Sequence, residues 1–166
     1  MGDIAVDKRD QICESAAAQD DETGLVDAQV AFLCLPHPDA VTQVVGNIAA
    51  QARGQHRTII DFGAHAPDFA IEVTALCETQ NIVYCDAPVF GTLSMAKSGD
   101  LYFLFSGPES IFTDFSQLVG RAGYRALCAG DSGMASTVKL LQNALGTVNF
   151  LACGRGIFTR LRGNEY

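Results

Sequence analysis

The chain has 166 residues, 48% of them hydrophobic and 18% charged, and it contains no tryptophan. This length and composition predict one ordinary soluble domain. The formal net charge of -8 disfavours nucleic acid as a partner. No apolar run approaches the roughly 20 residues that span a bilayer, and the acidic N-terminus is unlike a signal peptide. We therefore predict a cytoplasmic protein with no membrane partner.

Apolar runs that predict strands alternate with helical patterns along the chain. The predicted strands are 4–6, 28–35, 58–61, 82–85, 101–105 and 124–128. The predicted helices are about 10–18, 39–53, 67–80 and 108–118, followed by a long apolar helix after Gly130. Strands separated by helices in this way predict βαβ units. The fold class is therefore α/β, with a mostly parallel sheet flanked by helices.

Six cysteines are scattered without the paired spacing of a zinc site or a disulfide framework. Most lie in apolar runs, so we expect reduced thiols in the core and no metal site. They are Cys13, Cys34, Cys77, Cys85, Cys128 and Cys153.

The segment from Asp86 to Thr92 directly follows a predicted strand. Loops at the carboxyl ends of parallel strands bind ligands in α/β sheets, and Gly91 would let a ligand approach the backbone closely. Pro88 stiffens the loop. An ordinary connecting turn is the alternative, and the residues alone favour it.

Lys139 lies on the last predicted helix, where its neighbours are uncharged. A period of 3.6 residues places Lys139, Asn143 and Thr147 on one stripe. Such a lysine either reaches out to water or is held for chemistry, since a desolvated ammonium has a lowered pKa and exchanges protons nearer neutrality. Taken alone, the segment favours the first alternative.

A series of short motifs runs through residues 2–150 in one register. In chain order they are Leu35-Pro36, Asp61 with Pro67, Asp86 to Gly91, Ala96 with Gly99 and Leu101, Gly107-Pro108, and Gly130 with Gly133, Lys139 and Asn143. In this order and spacing they resemble the β-hydroxyacid dehydrogenases. That family includes 3-hydroxyisobutyrate dehydrogenase, glyoxylate reductase and the NAD(P)-binding domain of 6-phosphogluconate dehydrogenase.

The resemblance implies a partial Rossmann domain over 1–130 that binds NADP or NAD and an interdomain helix over 131–152. Residues 153–166 have no match in the family pattern, and their basic composition predicts a tail with little order. It implies hydride transfer to or from a small hydroxyacid or related carbonyl compound, with Lys139 as general acid/base. The substrate-binding residues would be Val89, Phe90, Gly91 and Asn143. The cofactor-binding residues would be Asp7, Lys8, Leu35, Pro36 and Ala64. A full-length version would be a homodimer.

Several residues depart from the family pattern. Phe90 replaces the family's carboxylate-binding serine, Thr92 replaces a glycine, and Gly63 and Ala64 replace two hydroxyl residues. His65 would face solvent or substitute as a polar contact to the cofactor, and the first of these is favoured. A non-catalytic nucleotide-binding domain, or a truncated and inactive fragment, is therefore the alternative function.

The sequence contains no G-x-G-x-x-G phosphate loop. The family register aligns residues 3–7 with the second strand, so the first strand and the glycine loop would precede Met1, and the helical domain would follow the last helix. Asp7 favours NAD through a ribose hydroxyl, whereas Lys8 favours the 2′-phosphate of NADP. A solvated turn explains both residues equally well.

Overall fold

The computed structural model describes residues 28–52, 55–121 and 124–162. Within them, the strands are β1 (Val30–Leu33), β2 (Arg57–Asp61), β3 (Ile82–Asp86), β4 (Val89–Phe90), β5 (Tyr102–Ser106) and β6 (Arg125–Gly130). The helices are α1 (Pro38–Ala52), α2 (Pro67–Glu78), α3 (Leu93–Ser98), α4 (Glu109–Arg121) and α5 (Met134–Arg162). The strand predicted at 4–6 and the helix predicted at 10–18 lie outside the described residues, as do Asp7 and Lys8.

The described strands form one mixed sheet in the order β1-β2-β3-β5-β4, with β6 on β5. Strands β1, β2 and β3 are parallel, with Leu33 opposite Asp61 and Asp61 opposite Asp86. Strand β6 is parallel to β5. The predicted α/β fold with a mostly parallel sheet is confirmed.

Strand β5 runs antiparallel to β3 and β4, which the sequence did not predict. The connection from β3 to β5 contains the two-residue strand β4 and only one helix, the six-residue α3. A parallel return needs a crossover with a longer helix over a sheet face, so β5 returns in the opposite direction.

Two apolar clusters cover the two faces of the sheet. One joins β1, β2 and β3 to α1 and α2, and its buried residues include Val41, Val45, Ile59, Val73 and Ile82. The other joins β3 and β5 to α4, and its buried residues include Ile60, Cys85, Phe103, Phe105 and Phe115. The β-branched and aromatic residues of the strands alternate between the clusters, as period-2 strands require.

Helix α5 continues through Arg162, so its backbone extends into the tail that we expected over 153–166. The segment contains no proline, and glycines lower helix propensity without removing a backbone donor. Past its first turns the helix is exposed: residues 140–153 are all exposed among the described part of the chain. No helix in the described ranges is long and apolar enough to cross a membrane.

Candidate functional site

The carboxyl ends of β1, β2 and β3 form one edge of the sheet. Phe62 N donates to Leu33 O at 2.8 Å, and Ala87 N donates to Asp61 O at 2.7 Å, so the loops that follow the three strands begin side by side. Leu35 packs against the first apolar cluster, whereas Pro36 and Ala64 are exposed. The structure therefore brings these three sequence-predicted cofactor residues to a single edge.

Asp61, at the end of β2, is completely buried and is the centre of a polar network. Its Oδ2 accepts a hydrogen bond from Tyr84 Oη at 2.8 Å, and its Oδ1 accepts one from Gly63 N at 2.8 Å. Burial and the negative charge of Asp61 raise the pKa of the Tyr84 phenol. Tyr84 therefore stays protonated and keeps donating to the carboxylate.

His65 belongs to the same network, so the expectation that it faces solvent is wrong. Its side chain is only 6% exposed, and Nε2 lies 3.2 Å from Asp61 Oδ2 without forming a hydrogen bond in this geometry. The ring packs edge-on against Phe69 at 5.1 Å. Space explains this position, because the ring occupies the volume into which a β-carbon on residue 63 would project, and Gly63 has none.

Lys139 contacts the loop that follows β3. Its Nζ donates a hydrogen bond to Val89 O at 2.9 Å and lies 4.1 Å from the centroid of the Phe90 ring. Lys139 is half-buried, and desolvation lowers the pKa of its ammonium. A cation over an aromatic face is attracted by the ring quadrupole, and more so when desolvated. The structure thus brings Lys139 together with two of the predicted substrate residues.

Gly91 and Asn143 complete the predicted substrate set. Gly91 follows Phe90 directly and is exposed, with φ of +141°, a conformation that favours glycine. A β-carbon there would also collide with Leu101 Cδ2. Asn143 is exposed one turn after Lys139 on the same stripe of α5. Gly91 therefore lies in the loop that Lys139 contacts, and Asn143 lies on the same helix as Lys139. Both are accessible to a small molecule.

The first turn of α5 is held by side chains from two strands. Asp86 Oδ1 accepts from Gly133 N at 3.0 Å, and Oδ2 accepts from Ser136 N at 2.9 Å and Ser136 Oγ at 2.8 Å. Ser106 Oγ accepts from Ala135 N at 2.6 Å. The sequence showed Asp86 only as the start of a motif, and gave no sign of Ser106. The sequence did hold one signal for this role of Asp86: an acidic residue directly after a predicted buried strand.

Burial differs among the five described cysteines, all of which are free. Cys77 and Cys85 are buried, as expected, and burial raises the pKa of each thiol to about 12. Cys34, Cys128 and Cys153 are exposed, so the expectation of core thiols is wrong for these three. An apolar run does not show which of its faces meets solvent.

Comparison with known proteins gives a match over most of the chain. The family model for the NAD binding domain of 6-phosphogluconate dehydrogenase matches residues 3–130. The mitochondrial 3-hydroxyisobutyrate dehydrogenase of Rattus norvegicus is 28% identical over 104 residues, which are 63% of this chain and 31% of the relative. The 2-(hydroxymethyl)glutarate dehydrogenase of Eubacterium barkeri is 27% identical over 143 residues, which are 81% of this chain and 44% of the relative.

Solved structures share the fold. A 3-hydroxyisobutyrate dehydrogenase of Mycobacterium tuberculosis, determined with L-serine, matches with a TM-score of 0.87 at 23% identity. The match covers 98% of this chain and 56% of that one. The chain thus spans less than half the length of the two curated relatives and little more than half of the solved one.

Proposed function

Since the chain belongs to the family of the NAD binding domain of 6-phosphogluconate dehydrogenase, we propose that it binds NAD or NADP along the carboxyl edge of β1, β2 and β3. Ligands of open α/β sheets bind outside the carboxyl ends of the strands. At this edge Pro36 and Ala64 are exposed, so a flat ring and its ribose have access to the backbone. Asp61 fixes that backbone by its hydrogen bond from Gly63 N.

The cofactor would contact Leu35, Pro36 and Ala64, which are partly buried or exposed at this edge. The choice between NAD and NADP would depend on Asp7 and Lys8, which lie outside the described residues. When bound, the nicotinamide supplies the hydride acceptor or donor. The protein's own part is to hold the reactants and to move a proton.

Lys139 is the proposed general acid/base of an oxidoreductase that acts on a small hydroxyacid or a related carbonyl compound. The observation that carries this role is the hydrogen bond of 2.9 Å from Lys139 Nζ to Val89 O. This bond places the ammonium beside the loop that follows β3. One ammonium proton is used in that bond, so the others are free for a substrate oxygen. The lowered pKa of Lys139 brings its proton exchange closer to neutrality, as a general acid/base requires.

Phe90 supports a second candidate, a non-catalytic nucleotide-binding domain or an inactive fragment of such an enzyme. Its ring covers one side of the Lys139 ammonium at 4.1 Å and offers no hydrogen bond to a substrate carboxylate. A small hydroxyacid would meet an apolar surface there. Asn143 would then be left as the polar group that orients a substrate. Pairing of two copies remains an expectation for a longer version of the protein.

Cofactor binding is tested by isothermal titration of the chain with NADH and with NADPH. Ala64→Glu places an acid at the proposed edge and should weaken dinucleotide binding about tenfold, because the phosphates and the new carboxylate repel each other. Thr79→Glu adds the same charge at the exposed C-terminus of α2, at the opposite end of the sheet, and should leave the affinity unchanged. Absence of binding to either dinucleotide contradicts the proposal.

Catalysis is tested by following nicotinamide absorbance with a panel of small hydroxyacids and their carbonyl counterparts. Lys139→Met should lower turnover by about 10²- to 10⁴-fold, the usual contribution of a general acid/base, while dinucleotide affinity stays the same. Lys97→Met, at an exposed lysine of α3, is the matched control. Dinucleotide binding without any turnover favours the second candidate.

A further inference from the structure

The N-terminus of helix α5 is capped by side chains from two strands. The first four N–H groups of an α-helix have no partner within the helix. Here the N–H groups of Gly133, Ala135 and Ser136 donate to Asp86 and Ser106, which lie at the ends of β3 and β5. Both acceptors are buried, at 2% and 0% exposure. A carboxylate at this end is also favoured by the helix dipole.

The segment that follows Asp86 contacts α5 a second time, at Lys139. Three residues after Asp86 the chain reaches Val89, whose carbonyl oxygen accepts from Lys139 Nζ. Lys139 lies three residues after Ser136, which is about one helical turn. The segment from the end of β3 to the start of β4 therefore contacts α5 twice, through the Asp86 carboxylate at the first turn and through Val89 at the next.

We infer that Asp86 is a positioning residue, whose carboxylate determines where Lys139 stands relative to Val89 and Phe90, with Ser106 as its second support. The functional meaning of this inference rests on the proposed role of Lys139. The contacts themselves do not, so they can be measured in the free chain. Gly133 supports the same alignment. A β-carbon there would lie 3.1 Å from Pro67 O, so its absence lets α5 pack closely on α2.

An ordinary helix cap and a positioning residue differ in what they do to Lys139. A cap stabilises α5, whereas a positioning residue also keeps the ammonium at the Phe90 ring. Loss of the Asp86 charge alone would lower the pKa of a nearby ammonium, since a negative neighbour favours the charged form. Release of Lys139 into water would raise its pKa toward the ordinary value of 10.5, because desolvation now lowers it. The two effects have opposite signs.

The test is NMR of the chain with isotope-labelled lysine, comparing the wild type with Asp86→Asn. We expect the nuclear Overhauser contact between the Lys139 side chain and the Phe90 ring to be lost, and the pKa of Lys139 to rise. Asp131→Asn is the matched control, because Asp131 is an exposed acid just before the same helix. It should leave both readouts as in the wild type.

Two milder variants keep the test decisive if Asp86→Asn does not fold. Ser136→Ala removes one hydrogen bond to Asp86 Oδ2, and Ser106→Ala removes the acceptor of Ala135 N. Each should weaken the Lys139–Phe90 contact in a folded chain. A folded variant of Asp86, or of both serines together, that retains the contact and the wild-type pKa overturns the inference. Failure of the chain to bind dinucleotide would leave these readouts intact, so the two proposals fail separately.

Discussion

At the scale of single residues, Gly63 and His65 are matched in shape. The imidazole of His65 is held between Asp61 and Phe69 and fills the space in front of the Gly63 α-carbon. The sequence pattern of the β-hydroxyacid dehydrogenases has a serine at the position of Gly63. A β-carbon at residue 63 and the buried ring at residue 65 exclude each other, so the two positions depend on one another.

Gly63→Ser should therefore displace His65 and lower the free energy of unfolding by about 1–3 kcal/mol, the usual cost of overpacking. The double variant Gly63→Ser with His65→Ala should lose less than the sum of the two single variants, with a coupling of about 1 kcal/mol. Urea unfolding measures all four proteins. Gly46→Ser in α1, where a β-carbon meets nothing within 4 Å, should change stability by less than about 0.5 kcal/mol. If the losses in unfolding free energy of the two single variants simply add in the double variant, positions 63 and 65 are not coupled and the prediction is wrong.

The sequence showed that Asp61 and Asp86 end buried strands, but it could not show their partners. Tyr84 is 23 positions from Asp61, and Ser136 is 50 positions from Asp86. Hydrophobic periodicity reports only on neighbours within a few residues. The contact of Lys139 with Phe90 was inaccessible for the same reason, although the family register had already assigned both to one site.

At the scale of elements, the long strands and helices were predicted within a few residues, whereas β4 and α3 were not. A two-residue strand is too short to show alternation. Helix α3 did carry a readable signal. Thr92 Oγ1 accepts from Met95 N at 3.3 Å as its N-cap, and Gly99 ends it with φ of 78°. A threonine and a glycine seven residues apart are a helix start and stop signal that our sequence predictions did not use.

Elements also differ in how much of their apolar surface is buried. Phe105 in β5 is completely buried, whereas Phe150 in α5 is 78% exposed. Phe105→Ala should cost about 3–5 kcal/mol of unfolding free energy, through lost burial and the cavity left behind. Phe150→Ala should change it by less than about 0.5 kcal/mol. Guanidinium unfolding of both variants checks this, and a large loss for Phe150→Ala would show that α5 is covered in solution.

At the scale of the whole molecule, three buried protonated groups make the fold sensitive to alkali. Burial raises the pKa of the Cys77 and Cys85 thiols from 9.0 to about 12, and it raises that of the Tyr84 phenol. Each group holds its proton in the folded state at a pH where the unfolded chain has released it. Their contribution to stability is full below about pH 9 and is lost as the pH rises toward 12.

The free energy of unfolding should therefore fall above about pH 9, by up to about 1.4 kcal/mol per pH unit for each group. Urea midpoints taken at intervals from neutral to alkaline pH measure the slope. Cys77→Ala should lower stability at neutral pH but make the alkaline fall shallower. Cys128→Ala, at an exposed thiol, should leave the slope unchanged. An identical slope in both variants would contradict this account of alkaline sensitivity.

The sheet itself was predictable because alternating strands and helices allow few topologies. Among the described residues β1 lies at one edge, where Val30 and Phe32 are 44% and 41% exposed on the face away from α1 and α2. The direction of β5 was not predictable from periodicity, because an apolar strand reads the same in both directions. The antiparallel direction of β5 is explained by the connection from β3, whose one helix has only six residues.

Helix α5 is attached to the sheet by its first turns, and the exposed part beyond them extends like a lever arm. At a rise of 1.5 Å per residue, Lys139 lies about 8 Å from the start of the helix and Phe150 about 24 Å. A tilt of about 10° at the first turn would move Phe150 by about 4 Å and Lys139 by only about 1 Å. A protein domain bound near Phe150 would therefore move Lys139 by about a third of the distance that it moves itself.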